Sequence, residues 1–513
     1  MGSRSRQVSG PQQSQQWRTE RPSCQRRSDV NHVETLENHI NGKRQLPASG
    51  NYLEGYAPAT GERIALIPRS TEHDVNQAVA AAKEAELEWA SLSKEVRANW
   101  LDRIADALEE CHDEIARLES MDTGKPISIA RAVDANRSVA NFRFYADLIR
   151  NLEDQEFQMS DATNRVLRRP VGVGVLITPW NLPLYLLSWK VAPAIGMGNT
   201  VVCKPSELTP MTADLLMRVI EKVGLPAGVV NLIHGTGAEA GAPLVEHKDV
   251  RFVSFTGGTD TGAVVARSAA GSFKKLSLEL GGKNATIILD DCDLDRHMDA
   301  IVRASYLNQG QVCLCGSRIL VHSSIKEKFT RRFVDAVEHL RIGNPSDEST
   351  ELGSLISPEH LSKVQSYVNL AIQEGGTLLT GGGMPCLTDG LEGGNWITPV
   401  IIDGLAPDSR CSTEEIFGPM VTLHSFNSDD EAIKIANGTR YGLAGSIWTT
   451  DLERGERIAQ SLDTGMVWVN TWLHRDLRVP FGGVKDSGLG REGGYWSLGF
   501  YSEATNICIM KDE

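Results

Sequence analysis

The hydrophobic pattern changes period repeatedly along the chain. "DVNQAVAAAKEAELEWASL" carries apolar residues at helical spacing on an alanine-rich background, which predicts a helix. "VGVGVLITPW" (171–180) is a β-branched run stopped at Pro179 and then Asn181, the pattern of a buried strand. In "LTPMTADLLMRVIEKVGLPAG" the spacing is helical again. Thr209 is placed to cap, Pro210 to take the first helical position and Gly224 to end the helix. Two strand runs follow, "GVVNLIHG" and "VRFVSFTGG", then a helix from about Thr259. "KKLSLELGGKNATIILD" is predicted as a strand and "LDRHMDAIVRASYLNQG" as the helix after it. The C-terminal "GFYSEATNICIM" is predicted as a strand that pairs with another subunit, since a bare edge invites aggregation. Alternation of this kind predicts parallel sheets covered by helices.

A length of 513 residues exceeds one compact core, so two or three domains are expected, with a composition shift near Gly281-Gly282. The net charge of −14 argues against nucleic acid as a partner, although a few arginines in a pocket could still hold an anion. No apolar run approaches the roughly 20 residues of a membrane span. The nine cysteines are odd in number and irregular in spacing, which points to a reducing compartment, the cytoplasm. Cys313 and Cys315 lie one residue apart, but no second Cys or His cluster accompanies them, so no metal site is expected. Residues 1–35 are Ser-, Gln- and Arg-rich and nearly free of aliphatic side chains. A disordered tail is expected there, with organelle targeting as the alternative.

Candidate chemistry clusters at strand ends. "SFTGGTDTG" places Gly257, Gly258 and Gly262 at a strand-to-helix junction, where backbone N–H groups could meet a phosphate; a plain tight turn explains the glycines equally well. "CKPSE" follows another strand. Lys204 and Glu207 there could bond ribose hydroxyls, and an acid beside the 2′ position favours NAD over NADP; a surface ion pair is the alternative. Glu279 in "LELGGKN" is either a buried structural partner or a base tuned by desolvation. Asn181 in "TPWN" could donate to a developing oxyanion or simply form a turn.

Taken in order, "ITPWNLPL", "KPSE", "FTGGTDTG", "LELGGKN", "NQGQVCLCGSR", "EEIFGP" and "PFGGVKDSGLGREGG" resemble the NAD(P)-dependent aldehyde dehydrogenase superfamily over about residues 36–510. The resemblance implies an α/β fold. Its parts are a Rossmann-like NAD-binding domain (36–152 and 170–281), an α/β catalytic domain (282–485) and a small β oligomerisation element (153–169 and 486–513). It implies Cys313 as the thiolate nucleophile, with Cys315 a bystander where the family has a small residue. Asn181 and the Cys313 N–H would hold the oxyanion, and Glu279 would activate the water that hydrolyses the thioester. A hydrolytic base argues for a free acid product rather than an acyl-CoA. NAD would lie against Trp180, Lys204, Ser206, Glu207, Gly257, Gly258, Glu415 and Phe417; Gly258 departs from the serine of many members, which removes a hydroxyl contact but keeps a backbone one. A homodimer or homotetramer is implied. Cys313 and Glu279 are both present, which argues against a non-catalytic structural protein on the same fold.

The substrate reading rests on arginines. Arg137 in "VDANRSVANFRFYAD", and Arg475 and Arg478 in "NTWLHRDLRVPFGG", stand where an apolar substrate would want apolar walls. They could pair with Asp134 and Asp476, or grip a carboxylate on the substrate. These stretches resemble the branch of 2-aminomuconic and 2-hydroxymuconic 6-semialdehyde dehydrogenases. That implies substrate binding by Arg137, Arg475 and Phe481, in tryptophan–kynurenine breakdown or aromatic-ring cleavage. Retinal, betaine aldehyde or another aldehyde is the alternative.

Overall fold

The computed structural model describes residues 33–511, so the expected N-terminal tail lies outside it except at its end. There Glu34–Thr35 already forms a strand, parallel to Arg63–Pro68.

Two large sheets organise the rest. In the first, five parallel strands run in the spatial order Lys275–Glu279, Phe252–Thr256, Val173–Ile177, Thr200–Lys204 and Val230–Leu232. Antiparallel strands close both edges: Gly488–Leu489 on one, Asn38–Ile40 with Lys43–Gln45 on the other. The apolar runs are continuous because both faces are buried. Leu176, Val201 and Phe252 face one core, while Val175, Val202 and Val253 face the other. Gly174 lies under the Phe252 ring, where a Cβ would come within 1.9 Å of it. The helices Glu72–Ser91, Pro183–Gly196 and Met211–Val223 pack on this sheet.

The second sheet holds Val400–Asp403, Met420–Phe426, Arg318–His322, Ala285–Ile288, Ala444–Trp448 and Met466–Val469, all parallel, with Thr377–Thr380 antiparallel at one edge. A three-stranded antiparallel sheet combines Gln155–Gln158, Ala162–Pro170 and Ser502–Met510. Among the described residues no helix is long and apolar enough to cross a membrane.

Four local expectations change. The run 274–290 is two strands, Lys275–Glu279 and Ala285–Ile288, and each belongs to a different large sheet. The chain leaves the first sheet at Gly281, where a Cβ would fall 2.2 Å from the Glu415 carboxylate. The helix expected through Gly310 ends at Tyr306. The helix after Thr209 begins at Met211, with Pro210 outside it; Asp122 accepts the Met211 N–H at 3.0 Å, and Thr209 caps nothing. Finally, the C-terminal strand starts at Ser502, after the helix Gly494–Phe500. It pairs with the chain's own Ala162–Pro170, from Ser502 opposite Pro170 to Met510 opposite Ala162. Its second edge carries no strand among the described residues.

Candidate active site

A cavity of about 290 Å³ opens where the carboxyl ends of the first sheet's strands face loops of the second region, the position at which open parallel sheets place ligands. Each strand end delivers one part. After Val173–Ile177 the chain runs through Trp180 and Asn181 before Pro183 starts the next helix at its first position. After Phe252–Thr256 come Gly257 and Gly258, leading into the helix Thr259–Ala270. Lys275–Glu279 ends on the carboxylate itself. The opposite wall is Leu307, Asn308 and Val312 with Cys313 and Leu314, then Glu415, Phe417, Arg475 and Phe481.

The cysteine loop is held by an unusual turn. Asn308, Gln309 and Gly310 are left-handed in succession, at φ 53°, 58° and 69°. Two non-glycine residues there need support. The Asn308 amide donates to the Asn181 carbonyl (3.2 Å), and the Gln309 amide donates to Ser354 O (2.9 Å). A Cβ on Gly310 would sit 2.3 Å from Gly418 O, so this turn touches the Phe417 loop directly. Downstream, the Asn284 amide donates to the carbonyls of Cys313 (2.7 Å) and Cys315 (3.0 Å). Cys313 lines the cavity. Cys315 does not: it is buried, its thiol 3.7 Å from Leu307 O.

Asn181 spends one amide N–H on Gln311 O at 2.9 Å, which leaves the other. The Cys313 N–H has no acceptor among the described residues. Both oxygens of Glu279 are buried without a hydrogen bond. Burial raises this carboxyl far above its ordinary range, and Glu492 pushes the same way against Lys190, Arg491 and Arg475. Burial also drives the Cys313 thiol upward, aided by Glu415 and Glu279.

Trp180 stacks edge-on against Phe417 (5.3 Å), and Glu415 accepts the Gly282 N–H at 3.0 Å. Lys204, Ser206 and Glu207 stand at the end of the neighbouring strand Thr200–Lys204, outside the cavity lining. There Lys204 Nζ donates to Glu207 (3.1 Å) and to Pro205 O (3.0 Å), while Ser206 Oγ accepts from the Leu208 N–H (3.2 Å).

The arginines separate. Arg478 makes an exposed ion pair with Asp476. Asp134 is buried against Lys125 at 2.8 Å and pairs with no arginine among the described residues. Arg475 has no ion pair among the described residues, although Glu279 and Glu492 line the same cavity. Its guanidinium lies over Phe481 (4.0 Å) and Trp189 (5.4 Å) and donates to the Tyr185 hydroxyl at 2.9 Å. Arg137 stays outside the lining, 5.5 Å from the Tyr185 ring.

Sequence reasoning missed three features. One is the buried pair Lys190–Glu492 (2.7 Å), with Ser254 accepting from Lys190 at 2.8 Å. A lysine inside an otherwise apolar helix was its available signal. Another is His360, bonded to Phe417 O at 2.7 Å and pushed down to about 4 by burial, hence neutral at pH 7. The third is Tyr185.

Three comparisons bear on this geometry. The model of the aldehyde dehydrogenase family matches residues 46–507. The 2-aminomuconic semialdehyde dehydrogenase of Mus musculus is 46% identical over 478 residues, 92% of this chain and 98% of that protein. The 2-hydroxymuconic semialdehyde dehydrogenase of Pseudomonas sp. strain CF600 is also 46% identical, over 484 residues, 93% of this chain and 100% of that protein. Among solved structures, betaine aldehyde dehydrogenase from Staphylococcus aureus in complex with NAD+ superposes with a TM-score of 0.90 at 38% identity, covering 94% of this chain and 95% of that one. A thiol, a desolvated carboxyl and an amide at one strand-end cavity, with a family match across most of the length, lead to one conclusion: the chain belongs to the aldehyde dehydrogenase family.

Proposed function

We propose that this protein oxidises an aldehyde bearing its own carboxylate, such as 2-aminomuconic or 2-hydroxymuconic 6-semialdehyde, to the free acid with NAD. The observation that carries the reading is Arg475: a half-buried guanidinium in the cavity wall, braced by two aromatic rings and without a carboxylate partner among the described residues. A cation in that state is matched by an anion from the substrate.

The residues present fit NAD. Lys204 and Glu207 offer a donor and an acceptor to ribose hydroxyls, and the acid disfavours a 2′-phosphate. A Cβ on Gly258 would meet nothing within 4 Å, so the start of the helix Thr259–Ala270 is open to a phosphate. Trp180, Ser206, Gly257, Glu415 and Phe417 complete the contacts. NAD, when bound, supplies the hydride acceptor.

The protein's own groups do the rest. Cys313 Sγ bonds the aldehyde carbon as the C=O π bond opens onto oxygen, and the thiol proton passes to water, giving a thiohemiacetal oxyanion. Asn181 and the Cys313 N–H stabilise its oxygen. Once the carbon is oxidised to a thioester, Glu279 takes a proton from water, which hydrolyses it. The raised pKa of Glu279 makes it a stronger base when ionised. The Lys190–Glu492 pair stands behind it as charged support.

The finer context follows from the same reading. The pathway would be tryptophan–kynurenine breakdown or aromatic-ring degradation. The free edge of Ser502–Met510 suits a homodimer or homotetramer. No disulfide joins the eight described cysteines, which supports a reducing, cytoplasmic setting. The first large sheet would be the NAD-binding domain, the second the catalytic domain, and the three-stranded sheet the oligomerisation element. The test is NADH formation with 2-hydroxymuconic 6-semialdehyde beside retinal and an aliphatic aldehyde. The semialdehyde is expected to have the highest kcat/KM; preference for an uncharged or cationic aldehyde would overturn the reading.

A further inference from the structure

We infer that Tyr185 is a specificity-determining positioning residue, which aims Arg475 at the substrate carboxylate and carries Arg137 on its ring outside the cavity lining. The inference rests on the proposed carboxylate substrate and adds what aims the guanidinium.

Tyr185 sits in the first turn of the helix Pro183–Gly196, four residues after Asn181, and its side chain is buried in the cavity wall. Its hydroxyl accepts the Arg475 Nη1–H at 2.9 Å across 290 residues of sequence. Its ring carries the Arg137 guanidinium at 5.5 Å. One side chain therefore meets both arginines, one through its oxygen and one through its π face. Its neighbour one turn on, Trp189, meets Arg475 from another side at 5.4 Å, and Phe481 does so at 4.0 Å.

The alternative placement of Arg475 explains why a tether matters. Glu279 and Glu492 line the same cavity, and both Glu279 oxygens are unpaired. A guanidinium free to rotate would be drawn to Glu279. That contact would blunt the base and occupy the fork meant for the substrate. Phe481 and Trp189 offer faces and no acceptor atom to Nη1, so they restrain its plane but not its rotation. The Tyr185 oxygen supplies the directional restraint. It leaves the guanidinium's remaining N–H groups to a carboxylate entering the cavity.

The experiment compares kcat/KM for 2-hydroxymuconic 6-semialdehyde with kcat/KM for benzaldehyde in wild type, Tyr185→Phe, Tyr185→Leu and Arg475→Gln, each checked by thermal melting. Tyr185→Phe deletes one oxygen and keeps the ring under Arg137. It is expected to lower the semialdehyde-to-benzaldehyde ratio about tenfold, mainly through KM for the semialdehyde, as expected for losing one charge-assisted hydrogen bond. Tyr185→Leu is expected to lower it further, because Arg137 then loses its support as well. An unchanged ratio in Tyr185→Phe while Arg475→Gln collapses it would overturn the inference and leave the carboxylate clamp standing. Equal losses on both aldehydes would reduce Tyr185 to packing and overturn it too. No ratio change in Arg475→Gln would remove the clamp and this inference with it.

Discussion

Replacing Arg475 by alanine perturbs the proposed substrate specificity most directly. In the structure this side chain contacts Phe481, Trp189 and the Tyr185 hydroxyl but forms no ion pair among the described residues, so its removal strands no paired charge there. The fold should lose little: one hydrogen bond to a neutral acceptor and some packing on two rings, against relief of a half-buried cation. Binding should lose much more. Truncating one side of a hydrogen-bonded charge pair costs about 2–5 kcal/mol, and the half-exposed position of Arg475 favours the lower end. About 2–3 kcal/mol corresponds to roughly a 30- to 150-fold fall in kcat/KM for a carboxylated aldehyde, at tenfold per 1.4 kcal/mol. Benzaldehyde, with no carboxylate, should lose about threefold or less. The assay is NADH absorbance at steady state with both aldehydes, alongside a melting curve. Arg475→Lys keeps a charge without the planar fork and should fall between wild type and alanine. A second readout comes from Glu279, whose carboxyl Arg475 pulls downward against burial and Glu492. Without that cation the protonated form gains, so the pH below which turnover fails should move up. Equal losses on both aldehydes, or an acid limb that moves down, would refute the reasoning.

Other substitutions probe the remaining parts. Glu279→Gln keeps size but not basicity; a burst of about one NADH per active site should survive while steady turnover falls roughly 100- to 10,000-fold. Loss of the burst in stopped-flow would assign Glu279 an essential role before hydrolysis. Asn181→Ala should reduce kcat about 100- to 1,000-fold, and it leaves Gln311 O with Asn308 as its donor; a kcat within threefold of wild type would exclude it from the oxyanion site. Gly482→Ala places a Cβ 2.5 Å from Glu279 Oε1 at a residue with φ of 138°. It should lower both melting temperature and turnover, the latter by up to about 100-fold from misplacing the base.

The strands of the first sheet were legible because they are buried on both faces. Val173–Ile177 and Phe252–Thr256 need no polar alternation, and their uninterrupted β-branched runs stop where the backbone must turn toward the cavity. The chemical residues were legible for a related reason, since Asn181, Gly257 and Glu279 all stand at such ends. The break at Gly281 was not. Apolar sequence continues on both sides of it, and only the Glu415 carboxylate, more than 130 residues away, explains why the chain departs. The partners of Lys190 and Tyr185 were hidden for the same reason: Glu492 lies 302 residues from one and Arg475 lies 290 from the other. Periodicity reports which face is buried. It carries no information about which distant polar atom completes a buried group.

That limit matters most for charge, because the cavity's electrostatics is a balance among residues from separate loops. Glu415 and Glu279 both push the Cys313 thiol up, and Glu492 adds to burial in raising Glu279. Lys190 compensates Glu492 at 2.7 Å, which leaves Glu279 as the carboxyl without a close partner. Arg491 and Arg475 are the other cations that pull on Glu279, and Tyr185 engages Arg475 at 2.9 Å. A substrate carboxylate bound to Arg475 would cancel the cation's pull on Glu279 and so push that carboxyl further up. The same guanidinium would therefore link recognition at one end of the substrate to the basicity needed at the other. This link requires that Arg475 not already be neutralised by Glu279, which returns the argument to the single hydroxyl that holds it.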